Sequence, residues 1–206
     1  MTLMRTVRRL QDQTATADDD GFRRRLLDGL AASIREQGYR NTTIADIVRR
    51  ARTSRRTFYE YFSSKDACFV ALLTAANAEM IERILAAVDP AAPWKAQVRQ
   101  AIEEWIDCAE AEPAIMLSWI RDVPSLGDTS RRLQRDMTEA FITMIQTLCD
   151  TEEWHANGPA PVSRQLTIML LGGLRELTAI TVEDSGRVRD VTEVAVQASI
   201  ALLAPR

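Results

Sequence analysis

The stretch Arg55-Arg56-Thr57-Phe58-Tyr59-Glu60-Tyr61-Phe62 carries directional hydrogen-bonding chemistry on one side and apolar rings on the other. On a helix, Phe58 and Phe62 lie four apart and form one inward edge, which leaves Arg55, Arg56, Thr57, Tyr59 and Tyr61 outward. An arginine fork pairs with O6 and N7 of guanine or holds a phosphate. A threonine meets a thymine methyl, and a tyrosine hydroxyl donates to phosphate. Just upstream, Thr42 and Thr43 stand at a helix start, where free N–H groups and the helix dipole favour a phosphate oxygen. Arg5, Arg8 and Arg9 have the composition of a DNA-reaching arm, although a frayed tail is the plainer reading. The chemistry implied is that of a DNA surface.

The charge distribution points the same way. The 206 residues carry 26 Lys+Arg and 29 Asp+Glu, a net charge of −3. Residues 1–66 hold 14 Lys+Arg against 9 Asp+Glu, net +5, and residues 67–206 hold 12 against 20, net −8. A basic first third on an acidic remainder directs a polyanion to the N-terminal part. The composition is 46% hydrophobic and 27% charged, which is that of a globular protein and not a disordered one. Cys68, Cys108 and Cys149 are odd in number, far apart and set in apolar helical patterns, so they read as buried thiols in a reducing cytoplasm. His155 is the one histidine, so neither a zinc site nor a catalytic histidine set is expected, and no cofactor is implied. Met1 to Asp20 has no apolar core of a signal peptide, the best apolar run, Thr167 to Leu174, is too short for a membrane span, and a cytoplasmic location without a membrane partner is expected.

The elements that must position these residues are helical almost throughout. Phe22, Leu26, Leu27, Leu30, Ala31 and Ile34 make one helical face that Gly38 stops. Thr43 and Asp46 have capping-box spacing and open a second helix carrying Ile44, Ile47, Val48 and Ala51. After a break at Arg52-Thr53, Ser54 caps a short third helix, Arg55 to Phe62. Ser63 and Asp66 repeat the spacing and open a long fourth helix that ends at Asp89-Pro90. Further helices are expected from Trp94, Ala114, Ser130, Val162 and Val191, with a long loop from Asp150 to Pro161. No period-2 run suggests a strand, so the fold class is all-α with about nine helices. Two helices joined by a short turn, the second outward and basic, fit a helix-turn-helix.

At this point the sequence resembles a known family. Gly38-Tyr39, then Thr42-Thr43-Ile44-Ala45-Asp46-Ile47-Val48, then Thr53 through Phe62, then Lys65-Asp66 looks like the DNA-binding domain of the TetR regulators. The resemblance covers about Phe22 to Leu73. It implies an all-α homodimer that binds a palindromic double-stranded operator and answers to a small-molecule effector. It implies DNA contacts at Thr43, Arg55, Arg56, Thr57, Tyr59, Tyr61 and Lys65, to which Thr42 and Ser54, at the helix starts, are added as expected contacts. Two positions depart from the usual pattern, since Arg52 and Arg56 both stand where glycine is common. The domains then read as an arm over 1–20, a helix-turn-helix over 21–66, and a ligand-binding and dimerisation domain over 67–206.

In the C-terminal part, Trp105, Met116, Trp119, Phe141, Met144 and Met169 have the types that line an apolar ligand pocket, although such residues at helical spacing more often form core. The last two long helices carry Leu166, Leu170, Gly173, Leu174, Leu177, Val194, Ala198 and Leu202, enough apolar surface for a two-fold four-helix interface. The reading is a ligand-responsive repressor without enzymatic activity. One rival is an all-α enzyme or small-molecule carrier with a vestigial DNA-binding head, using Glu103, Glu104, Asp107 and Glu110, which otherwise read as a solvated face. Another is a DNA-binding regulator controlled by a protein partner.

Overall fold

The computed structural model describes the backbone of residues 2–159 and 162–204, and the side chains of 21–127, 131–159 and 162–204. The side chains of Arg5, Arg8 and Arg9 lie outside the described residues, and so does the question of a basic arm. Among the described residues the structure is all-α, with ten α-helices and two short 3-10 turns. The chain divides into two compact units, Met1–Leu72 and Leu73–Arg206.

In the first unit, α1 (Thr2–Asn41) loses helical geometry at Gly38, whose φ of 77° and ψ of 161° suit a residue without a Cβ. Helix α2 (Ile44–Arg50) opens on the Thr43–Asp46 capping box with both reciprocal bonds made. Helix α3 (Arg55–Tyr61) opens on Ser54, whose hydroxyl accepts from the Thr57 N–H. Leu26, Leu30, Ile34, Ile47, Phe58 and Phe69 are buried and form the core. Gly29 has a role the apolar pattern did not reveal: a Cβ there would stand 2.8 Å from the Ile47 carbonyl oxygen. Its absence lets α1 and α2 approach closely.

Helix α4 (Lys65–Ala87) is capped one residue later than expected. Ser64, not Ser63, caps it, through the Ala67 N–H 3.0 Å from its hydroxyl. Asp66 is engaged elsewhere, accepting a hydrogen bond from the Tyr39 hydroxyl.

The second unit contains the rest of α4 with α5 (Trp94–Ala111), α6 (Pro113–Arg121), α7 (Asp128–Leu148), α8 (Glu152–Asn157), α9 (Arg164–Glu183) and α10 (Thr192–Leu203). Helix α8 replaces half of the expected long loop. Thr151 caps it by accepting from the Trp154 N–H, and the Trp154 ring is buried edge-on to Trp94, with centroids 5.8 Å apart. With one apolar anchor among polar neighbours, this helix has no periodicity to betray it. Arg121 ties α6 to α9 through Glu176 at 2.9 Å and Glu183 at 2.7 Å, and Arg99 ties α5 to α10 through a fork on Glu193. Among the described residues, no helix is long and apolar enough to cross a membrane.

Candidate nucleic-acid interface and ligand cavity

The turn between α2 and α3 is set by Arg52, which adopts a φ of 51°. That left-handed conformation costs a residue with a Cβ about 1–2 kcal/mol and explains why glycine suits the position. The strain is confined to the turn, because caps on both sides hold the helices. Thr43 donates its hydroxyl to Asp46 Oδ2 at 2.6 Å, and its backbone N–H donates to the same oxygen at 3.1 Å. These bonds, those from the Thr43 side chain foremost, hold the Asp46 carboxyl below its ordinary value of 3.8.

The nine residues expected at DNA divide into two groups. Arg55, Arg56 and Tyr59 are exposed, and Thr57 is half-buried beside them. Tyr59 is 57% exposed, with its ring edge-on to Phe58. Arg56 reaches only its own helix, with Nε 3.3 Å from Glu60 Oε1. The Arg55 side chain makes no hydrogen bond or ion pair among the described residues. The second group holds the scaffold. Thr42 is buried and donates to the Gly38 carbonyl at 2.8 Å. Thr43 and Ser54 are caps, and Tyr61 stacks on Phe22 at 6.4 Å. The Lys65 ammonium donates to the Tyr39 carbonyl at 3.0 Å and the Thr42 carbonyl at 2.9 Å, and lies 4.2 Å from the Tyr39 ring centroid. Tyr39 itself stacks on Phe69 at 3.9 Å. Lys65 and Tyr39 thus join the end of α1 to the start of α4.

One further cation belongs with the outward group. Arg52 is exposed, and among the described residues its side chain makes no hydrogen bond or ion pair. Its type and its place in the turn were visible in the sequence, but its outward direction follows from the left-handed backbone.

The second unit contains two apolar cavities. The first, about 90 Å³, is lined by Trp105, Phe141 and Met144 with Gln97, Trp154, Leu170 and Leu174 among others. The second, about 110 Å³, is lined by Met116 and Trp119 with Asn77, Met80, Cys108 and Met137. The rings of Trp105, Trp119 and Phe141 form one cluster, with centroids 5.3–6.1 Å apart. Five of the six residues expected at a pocket therefore line a cavity. Met169 lines neither; it is 63% exposed on α9.

Of the residues expected at a dimer face, Gly173, Val194, Ala198 and Leu202 are exposed, Leu166, Leu174 and Leu177 are half-buried, and Leu170 is buried. Leu170 and Leu174 face the first cavity instead. The carboxylates of α5 are held in place: Glu104 pairs with Arg83 at 2.6 Å, Glu103 with Arg99 at 3.2 Å, and Asp107 with Arg189 at 2.9 Å, while Glu110 accepts from the Arg189 N–H. Burial pushes the Cys68 and Cys149 thiols up to about 12 and Cys108 up to about 11.

Residues 26–72 match the family described as bacterial regulatory proteins, tetR family. No curated protein sequence matches the chain. Among solved structures, the fatty acid degradation regulator FadR from Bacillus halodurans is similar, with a TM-score of 0.76 at 14% identity, over 88% of this chain and 94% of that one. FadR from Bacillus subtilis, in complex with stearoyl-CoA, has a TM-score of 0.74 at 14% identity, over 87% of this chain and 97% of that one. A tetR-family transcriptional regulator from Streptomyces coelicolor has a TM-score of 0.71 at 18% identity, over 89% of this chain and 80% of that one.

Proposed function

We propose that this chain, which has the domain and the fold of a TetR-family transcriptional regulator, is a repressor that binds a palindromic operator as a homodimer and leaves it when a small apolar or amphipathic effector binds. The observation that carries the reading is the outward row of Arg55, Arg56, Thr57 and Tyr59 on a helix whose start and turn are fixed by side-chain caps. Arg55 and Arg56 sit in the first turn of α3, the end of a recognition helix that meets base edges. Arg52 is offered to phosphates, while Thr43, whose hydroxyl and N–H both donate to Asp46, acts as a cap. Thr42 and Lys65 act through the scaffold, because their polar atoms hold backbone carbonyls.

Dimerisation is supported by the second unit's surface. Of the seven large hydrophobic side chains exposed among the described residues, Ile168, Met169, Ile180, Val194 and Leu202 are on α9 and α10. Met169, Gly172, Gly173, Glu176 and Ile180 follow helical spacing on one face of α9. Val194, Gln197, Ala198 and Ala201 do so on α10, and a second copy would cover both stripes. Gly173 has open space where a Cβ would be, so Gly173→Trp leaves each monomer intact and should block the pairing.

An effector is supported by the two cavities, whose walls are mainly apolar, as ligand sites are. The Bacillus subtilis FadR structure with its stearoyl-CoA supports an amphipathic ligand for this fold. Helix α4 runs through both units and is the proposed route of coupling. The effector must bind the DNA-incompetent state more tightly, and linkage then makes DNA weaken effector binding by the same factor. The arginine-paired carboxylates of α5 favour this reading over an enzyme, since their charges already serve the packing of neighbouring elements.

The test is a ligand titration with and without operator DNA, read by the fluorescence of Trp105 and Trp119. A coupling of about 1–3 kcal/mol, or about 5–150-fold, is expected in both directions. Equal ligand affinity in the two titrations would favour control by a protein partner.

A further inference from the structure

The two cavities meet helix α4 differently. This helix starts in the first unit and continues from Leu73 in the second. In the first unit it is built into the scaffold that carries α3: Cys68 and Phe69 are unexposed, and the Lys65 ammonium holds the Tyr39 and Thr42 carbonyls. Among the described residues, the second cavity takes Leu73, Ala76, Asn77, Glu79, Met80 and Arg83 of its wall from α4, and the first cavity takes Ile84 alone. At a rise of about 1.5 Å per residue, Leu73 stands about 6 Å along the helix from Phe69, and Ile84 about 22 Å. A guest in the second cavity therefore bears on α4 one turn beyond its anchorage. A guest in the first meets the far end of α4 and otherwise the side chains of other helices.

The wall of the second cavity also selects by chemistry. It is mainly apolar, with Met80, Met116 and Met137 beside Trp119. At about 110 Å³ it is smaller than the ~150 Å³ engineered cavity that holds benzene, and unbranched thioether side chains are those that adapt most readily to a guest. Its charged members are Glu79, Arg83 and Glu112. Arg83 is already held by Glu104, whose Oε1 lies 2.6 Å from Nη2 and 2.7 Å from Nε. Arg175 lies over the Trp119 ring, 4.7 Å from its centroid, but is not part of the wall. An anion seated in this cavity would lose hydration and meet two carboxylates, with no unpaired cation on the wall to compensate it.

We infer that the second cavity, and not the first, is the site from which a guest acts on the DNA-binding unit, and that the seated part of this guest is apolar and carries no negative charge. The inference rests on the effector reading above and names the cavity and the charge class through which that effector acts.

Benzyl alcohol, benzylamine (an ammonium at pH 7) and benzoate are similar in size and differ in charge. Each is titrated into the full-length protein by calorimetry, and into its complex with an operator duplex selected from a random library. Benzyl alcohol and benzylamine should bind and weaken operator affinity about 5-fold or more, and benzoate should do neither. Two variants on α5 fill one cavity each: Cys108→Leu the second and Ala101→Leu the first. Cys108→Leu should lower benzyl alcohol affinity about tenfold or more, because a filled site excludes its guest, and should abolish operator release. Ala101→Leu should leave release intact. Thermal melts establish that each variant folds, and Ile115→Phe, which also points to the second cavity alone, replaces Cys108→Leu if that variant does not.

Release that survives Cys108→Leu and is lost in Ala101→Leu overturns the inference and leaves the effector reading standing on the first cavity. Equal losses in both variants overturn it as well, as do benzoate binding that matches benzyl alcohol and binding of none of the three. Binding that Cys108→Leu abolishes, with operator affinity unchanged throughout, keeps the second cavity as a site and removes the effector reading, so the two fail separately.

Discussion

The two units treat polar side chains in opposite ways. In the first, they are used internally: Thr43 with Asp46, Ser54 with Thr57, and Lys65 with the carbonyls of Tyr39 and Thr42. In the second, Asn77, Gln97, Trp119, Trp154 and Arg175 each keep a buried polar atom unpaired, and no other described residue does so. A fully paired scaffold fixes the direction of the side chains it carries, and a surface that reads base edges needs that. The unpaired atoms of the second unit are buried within its packing, and the unit also holds two mainly apolar cavities. The comparison separates a part built to present from a part built to receive.

The largest expected effects come from one aromatic deletion in each unit. Phe58 and Phe141 are both essentially unexposed, and removing either ring should cost about 3–5 kcal/mol. Phe58→Ala should abolish DNA binding while ligand binding persists. Phe141→Ala should enlarge the cavity and admit larger guests, with DNA binding retained at low temperature. Thermal melts with DNA and with ligand separate the two, because each partner raises the midpoint only of a state that binds it. If both variants lose both functions together, the units do not have separate roles.

A smaller effect is expected at Gly29. Gly29→Val places a Cβ against the Ile47 carbonyl, and such overpacking costs about 1–3 kcal/mol. Denaturant unfolding should show the loss, accompanied by weaker DNA binding and unaltered ligand affinity. At Arg52 the sign reverses. Arg52→Gly relieves the positive φ and should stabilise the first unit by about 0.5–1 kcal/mol after the greater unfolded-state entropy of glycine is counted. DNA affinity should nevertheless fall modestly as a cation is lost, and its salt slope should drop by about 1.

The smallest effect is the response to acid. The Asp46 carboxyl is held below 3.8 by its bonds from Thr43. Its capping contribution is present above that value and is lost as pH falls through the lowered folded-state value. Far-UV circular dichroism below pH 4 should show weakening of the first unit, and Asp46→Asn should remove that part of the pH dependence.

The first unit was legible in the sequence because its signals are local. Thr43 with Asp46, Ser54 before Arg55, and Gly38 after an apolar face each announce a helix end within four residues. Where reading failed, the cause lay further off: Asp66 bonds Tyr39, 27 residues away, and Gly29 answers to Ile47. The second unit was legible in its helices but less so in its site. Met116, Trp119 and Met144 have the same type and spacing as core residues, and only packing decides which of them border empty space. Met169 and Leu170 are adjacent in sequence, yet one is exposed and the other borders the cavity. Trp154 could not be placed while Asp150 to Pro161 read as a loop, and Gln97 looked like an ordinary polar residue on a helix.

The central claim is that α3 presents Arg55 and Arg56 to base edges while the scaffold holds them still. The most direct measurement starts by selecting bound duplexes from a random DNA library. Wild type, Arg55→Ala and Arg56→Ala are then titrated on the selected and scrambled sequences. The account predicts a palindromic selected site with half-sites about 34–36 Å apart. Each variant should lose about 1–3 kcal/mol on the selected site and much less on the scrambled one. Equal losses on both DNAs, or no enriched sequence at all, would contradict it.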